Sequence, residues 1–132
     1  MTTIWSNKRL REFVQETLGC MCPEKVFEKI NISSRLVEGY SNEITRIVVG
    51  NTLLIYVIRP ESDNNLFDSV ELIGLVGKND RDLNNYNRFR LVVSIVEDFA
   101  HNDTISERFS SIFATDEKMH IHFVRKELLE GL

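Results

Sequence analysis

Ile44-Thr45-Arg46-Ile47-Val48-Val49-Gly50-Asn51-Thr52-Leu53-Leu54-Ile55-Tyr56-Val57-Ile58 decides the fold, because two β-branched runs, 44–49 and 52–58, flank the turn pair Gly50-Asn51. Gly and Asn tolerate the positive φ that a two-residue hairpin turn needs at its first position, so the runs are expected to pair antiparallel. The second run is apolar almost throughout, as a strand covered on both faces is, which places it centrally in a sheet. Arg59-Pro60 ends the hairpin, since proline has no N–H for a ladder and pushes its predecessor out of the helical region.

Working upstream, residues 32–37 suit an earlier strand. Residues 7–18 carry Leu10, Phe13, Val14 and Leu18 on one stripe of an amphipathic helix, with Ser6 as its cap and Gly19 as the left-handed residue that ends it. A shorter helix over 23–30 would bury Val26, Phe27 and Ile30. Downstream, Leu66, Phe67, Val70, Ile73 and Val76 give residues 65–77 a helical stripe stopped at Gly77, with a short strand over 70–76 as the alternative. Residues 78–87 lack a period and read as a surface connection. There Lys78, Arg81, Arg88 and Arg90 interleave with Tyr86 and Phe89, diluted by Asp80 and Asp82, as in a solvated loop. Dense β-branching makes 89–96 a strand, against a helical spacing of Tyr86, Phe89, Val93, Val96 and Ala100. Thr104-Ile105-Ser106-Glu107 has the form of a capping box, with a helix to 114 burying Ile105, Phe109, Ile112 and Phe113. Residues 119–124 alternate Met119, Ile121 and Phe123 with His120 and His122, as a half-exposed strand does.

These elements predict a single α+β domain over residues 1–132: two N-terminal helices, then a mixed or antiparallel sheet with helices packed on it. A chain of 132 residues is long enough to bury a core without metal or disulfide staples. Its 42% hydrophobic and 27% charged residues match an ordinary globular protein rather than a disordered one.

The two cysteines stand in Leu18-Gly19-Cys20-Met21-Cys22-Pro23-Glu24-Lys25-Val26-Phe27. With Pro23 at a first helical position, Cys22 would be an N-cap, where unpaired N–H groups and the helix dipole favour thiolate. The pair has three readings: redox chemistry, metal ligation, or two small apolar side chains in a tight turn. The usual redox motif places two residues between its cysteines, and a C-x-C bridge closes a smaller, strained ring. Leu-Gly-Cys-x-Cys-Pro-x-x-Val-Phe resembles the N-terminal part of small prokaryotic proteins to which no activity is assigned. That resemblance implies a small bacterial or archaeal cytoplasmic protein and transfers no catalytic residue.

His120 and His122 share one strand face about 7 Å apart, near enough to reach one cation, and with Cys20 and Cys22 they would complete a Cys₂His₂ set. The spacing is not that of a zinc finger, and strand alternation alone explains them as a solvated outer face. Two other motifs fail. Gly74-Leu75-Val76-Gly77-Lys78 has Leu72 where a phosphate loop needs its first glycine and Asn79 in place of the hydroxyl. Asp80, Asp82 and Asn84 open like a calcium loop, but Asn85 replaces the glycine and Leu91 the closing glutamate. Gly-x-Ser-x-Gly and His-Glu-x-x-His do not occur, and no cofactor is evident.

A net charge of −4 argues against a nucleic-acid partner, and no apolar run approaches a membrane span. The start lacks the apolar region of a secretory signal, so a cytoplasmic location with reduced thiols is expected. The reading is a non-enzymatic binding or interaction domain for a small molecule or protein, with a homo-oligomer left open. The alternative is a thiol-dependent redox or metal-binding protein using Cys20 and Cys22.

Overall fold

The structure is a computed structural model that describes residues 5–19, 24–40, 42–60, 66–96 and 102–132. Its described strands are β1 (Ile30–Arg35), β2 (Ile44–Val49), β3 (Leu53–Ile58), β4 (Arg88–Ile95) and β5 (Met119–Arg125), which lie side by side in chain order. The first three pair antiparallel, and β4 and β5 continue parallel to β3. The hairpin is tight, with positive φ at both Gly50 and Asn51 and Thr52 N–H donating to the Val49 carbonyl at 3.1 Å. Gly50 is also required sterically, because a Cβ there would lie 2.5 Å from that of Val26.

Parallel neighbours need a crossover. Helix α2 (Leu66–Leu83) makes the one from β3 to β4, and α3 (Asn102–Ile112) the one from β4 to β5. Both cover the same face, hereafter the first face, where Leu66, Val70, Ile73, Ile105, Phe109 and Phe113 pack on Leu54, Tyr56, Phe89, Leu91 and Val93. The second face carries Ile47, Val49, Leu53, Ile55, Val57 and Val92, and is covered from the two ends of the described chain. One cover is α1 (Asn7–Glu12), capped by Ser6 Oγ accepting from Arg9 N–H at 3.1 Å. The other is a 3₁₀ turn, Lys126–Leu129. Trp5 joins the two covers, its indole N–H donating to the Glu130 carbonyl at 2.5 Å and its ring meeting Phe13 edge-on. The outcome is an α+β architecture with both sheet faces buried.

Several expectations need correction. A second N-terminal helix is not found among the described residues: Glu24–Glu28 forms a 3₁₀ turn and β1 begins at Ile30. Pairing Ile30 with Val49 and Ile32 with Ile47 extends the hairpin by one strand, which a helix running to residue 30 would forgo. Nor does α2 stop at Gly77. That glycine is internal because a Cβ would overlap the Phe89 ring, so it permits close helix-to-strand packing rather than a turn. The stretch 78–87 is accordingly helical as far as Leu83, and its Asp80 and Arg81 are buried. Helix α3 begins at Asn102, which leaves Thr104 inside the helix and removes the capping box. Cys20, Cys22, Pro23 and the proposed N-cap lie outside the described residues.

Among the described residues no helix is long and apolar enough to cross a membrane.

Candidate functional site

The polar side chains that reach the sheet interior form two groups, one on each face. On the first face Asp80, near the end of α2, is 6% exposed and collects donors from three strands. Arg46 of β2 binds it bidentately, Nε to Oδ2 at 2.8 Å and Nη2 to Oδ1 at 3.0 Å. Arg35 of β1 donates to Oδ2 at 3.1 Å, the Tyr56 hydroxyl of β3 donates to the same oxygen, and Asn84 Nδ2 donates to Oδ1 at 2.8 Å. Burial by itself would raise the Asp80 pKa, but the hydrogen bonds from Arg46 and Tyr56 and the arginine charges outweigh it and hold the carboxyl below its usual range. The Tyr56 hydroxyl, buried and donating to this carboxylate, is pushed well above its ordinary value and stays protonated. At the next residue along α2, Arg81 grips Asp116 through two bonds of 2.9 and 2.5 Å. Every oxygen of Asp80 is engaged. The group is a clamp between α2 and the antiparallel half of the sheet, with no acid or base to spare for chemistry.

The second face is different. Arg90 of β4 is 6% exposed, and its Nη1 donates to the Leu18 carbonyl and to His122 Nε2, both at 2.8 Å. Leu18 follows a π turn, Phe13–Thr17, in which its own N–H bonds back to the Phe13 carbonyl at 3.1 Å. The widened turn leaves the terminal carbonyl over the sheet, where it needs a donor from outside the helix. A guanidinium only donates, so His122 Nε2 must carry the lone pair and Nδ1 the proton. The ring is therefore neutral. Burial, with the charges of Arg90 and His120 beside it, pulls the His122 pKa down to about 4. His120 lies directly across the ladder from Arg90 and is lowered too, by burial and then by Arg90 and Arg88. No carboxylate among the described residues pairs with Arg90, and its Nε is buried without a hydrogen-bond partner.

The strand alternation expected for 119–124 is present: Ile121 and Phe123 pack on the first-face core while His120 and His122 point to the other side. That other side is a second, covered core rather than a solvated surface, so His122 is half-buried against Arg90. With His122 Nε2 taken by a cation, only Nδ1 could serve a metal, and no three His, Cys, Asp or Glu side chains converge among the described residues. Cys20 and Cys22 lie outside them.

A third feature is a cleft of about 470 Å³ at the carboxyl ends of the parallel strands. Arg59 and Pro60 after β3, Ser94 and Val96 at the end of β4, and Lys126, Leu129, Glu130, Gly131 and Leu132 after β5 line it. Arg59 is held by Thr45 Oγ1 at 2.9 Å and by the Leu132 main-chain oxygen at 2.8 Å. Open parallel sheets present their ligand crevices outside such strand ends.

Sequence reading gave no functional place to Arg46, Tyr56 or Arg59, and read Asp80 and Arg90 as part of a solvated stretch. The arginines left a trace, being charges at core-facing positions inside or at the end of β-branched runs. Asp80 left none, since its partners on the strands lie 24, 34 and 45 residues away. No protein-family model, curated protein or solved structure matches the chain.

Proposed function

We propose that the chain is a non-catalytic binding domain whose small-molecule ligand seats in the cleft at the carboxyl ends of β3, β4 and β5. The observation that carries this reading is the cleft itself, which combines a fixed guanidinium, Arg59, with Ser94 and the exposed cation of Lys126 around the apolar side chains of Pro60, Val96 and Leu129, with Glu130 the one acidic residue among its described lining. Such a lining suits a ligand with an apolar body and an anionic end. The buried groups that might have done acid-base work are committed to structure: Asp80 and Asp116 are held by arginines and His122 by Arg90. The test is a fragment screen followed by backbone amide chemical shifts, in which bound fragments move the amides of Ser94, Val96 and Lys126. Fragments that all act elsewhere, or none that bind, would remove the reading.

A further inference from the structure

We infer that the Arg90 guanidinium on the second face is a binding site for a small oxyanion, a phosphate or carboxylate group, gripped side-on through Nε and Nη2. This site is independent of the carboxyl-end cleft. Arg90 lies four residues before Ser94 on the same strand face, about 13 Å away along β4.

The argument begins with the charge. Arginine cannot shed its proton at any ordinary pH, so burial pushes against the charge without removing it. Buried charges in proteins are paired or hold ligands, and an unpartnered buried donor demands an explanation. On the first face this rule is met, because Arg35, Arg46 and Arg81 all end on carboxylates. Arg90 ends on neutral groups, the Leu18 carbonyl and an imidazole lone pair. The negative end of the π turn that continues α1 offsets only a fraction of a unit charge.

Geometry then selects the ligand. Nη1 is used twice, and these two bonds fix the plane of the guanidinium. Nε and Nη2 have no acceptor among the described residues, and Nε is fully buried. These two N–H groups point the same way, forming the edge that takes two oxygens of a carboxylate or phosphate in parallel hydrogen bonds. The surroundings reinforce the sign. His120 is across the ladder, His122 is diagonal, and Arg88 is two residues along the strand. None of these is acidic. A metal cation is disfavoured here by the same charges that invite an anion.

The test uses the full chain, inorganic phosphate and acetate as probes, and chloride at matched ionic strength as the control. The reporter is the side-chain Nε–Hε resonance of Arg90, assigned by its loss in Arg90→Lys. Phosphate is expected to move this resonance saturably and to raise the unfolding temperature beyond the chloride control. If acetate does the same, the site reads the shared oxyanion edge; if phosphate alone does, it reads a tetrahedral dianion. Arg90→Lys keeps the charge but lacks the side-on edge, so its phosphate affinity should fall at least about tenfold. An Arg90 resonance unmoved by either anion, or an equal phosphate response in Arg90→Lys, would overturn the inference. Should Arg90→Lys fail to fold, the wild-type resonance, assigned through its contacts to His122, still decides the matter. Fragment binding at Ser94 and anion binding at Arg90 are read at different nuclei, so either can fail alone.

Discussion

The two faces of the sheet solve the same problem differently. Each brings arginine against the sheet, yet on the first face the guanidinium groups of Arg35, Arg46 and Arg81 meet carboxylates, whereas on the second Arg90 meets a carbonyl and a neutral ring. A closed set of charges does structural work, because removing any member strands the others. An open set has spare capacity, and spare capacity in a buried cation is where an external anion gains most. The difference separates the part of the molecule that holds it together from the part to which we assign anion binding.

The largest expected effect breaks the closed set. Asp80→Ala leaves two arginines and the Tyr56 hydroxyl without their acceptor, and should cost about 3 to 5 kcal/mol in urea unfolding, toward the low end because Arg35 is partly exposed. A cost under about 1 kcal/mol would show that the first face is not clamped by charge. Gly77→Ala tests packing on that face. The new methyl overlaps Phe89, and should cost about 1 to 3 kcal/mol with little change in the denaturant slope.

Acid should then separate the faces in order. His122 has a folded pKa of about 4 against 6.5 unfolded, so the unfolded chain binds more protons between those values. Stability from this ring is fully present above about 6.5 and falls as pH drops toward 4. A shift of that size corresponds to about 3 kcal/mol, which the ring's partial exposure reduces to about 1 to 2. Asp80, held below 3.8, contributes stability that is lost only at lower pH, as its own carboxyl protonates. Stability measured across pH should thus decline in two stages, and His122→Asn should shrink the upper one alone, leaving the part that the lowered pKa of His120 contributes. The smallest effect is expected at Arg90→Met. Removing an unpaired buried charge offsets part of the cost of leaving the Leu18 carbonyl and His122 Nε2 without a donor, so stability should fall by only about 1 kcal/mol. A loss as large as that of Asp80→Ala would make Arg90 a structural member and erase the contrast between the faces.

How much of this was legible in the sequence follows the range of the interactions. The hairpin, the strand around Leu91 to Val93, the alternation at Met119 to Val124, the Ser6 cap and the left-handed Gly19 are decided within a few residues, and each is present. The failures lie where a distant partner sets the outcome. Gly77 reads as a stop until Phe89 is seen against it. Asp80 and Arg81 read as solvated because hydrophobic periodicity is blind to polar groups buried as pairs. His120 and His122 read as outward-facing because their cover comes from chain far away in sequence. Of the two polar groups, Asp80 and Arg90 entered the sequence reading only through a failed motif and a stretch taken as solvated, and the histidines were singled out for a metal rather than for the arginine one strand over.

Trp5, the single tryptophan, sits where the covers of the second face meet, hydrogen-bonded to Glu130, edge-on to Phe13 and with the Arg9 guanidinium 4.1 Å from its ring centre. Its fluorescence is therefore a built-in gauge of one seam and is silent about the other side of the sheet. When the ends of the described chain lift together, the indole loses its carbonyl acceptor and meets water, and its emission shifts to longer wavelength before the α2 and α3 layer has moved. Emission that leads circular dichroism on warming would mark the second face as the door that opens first.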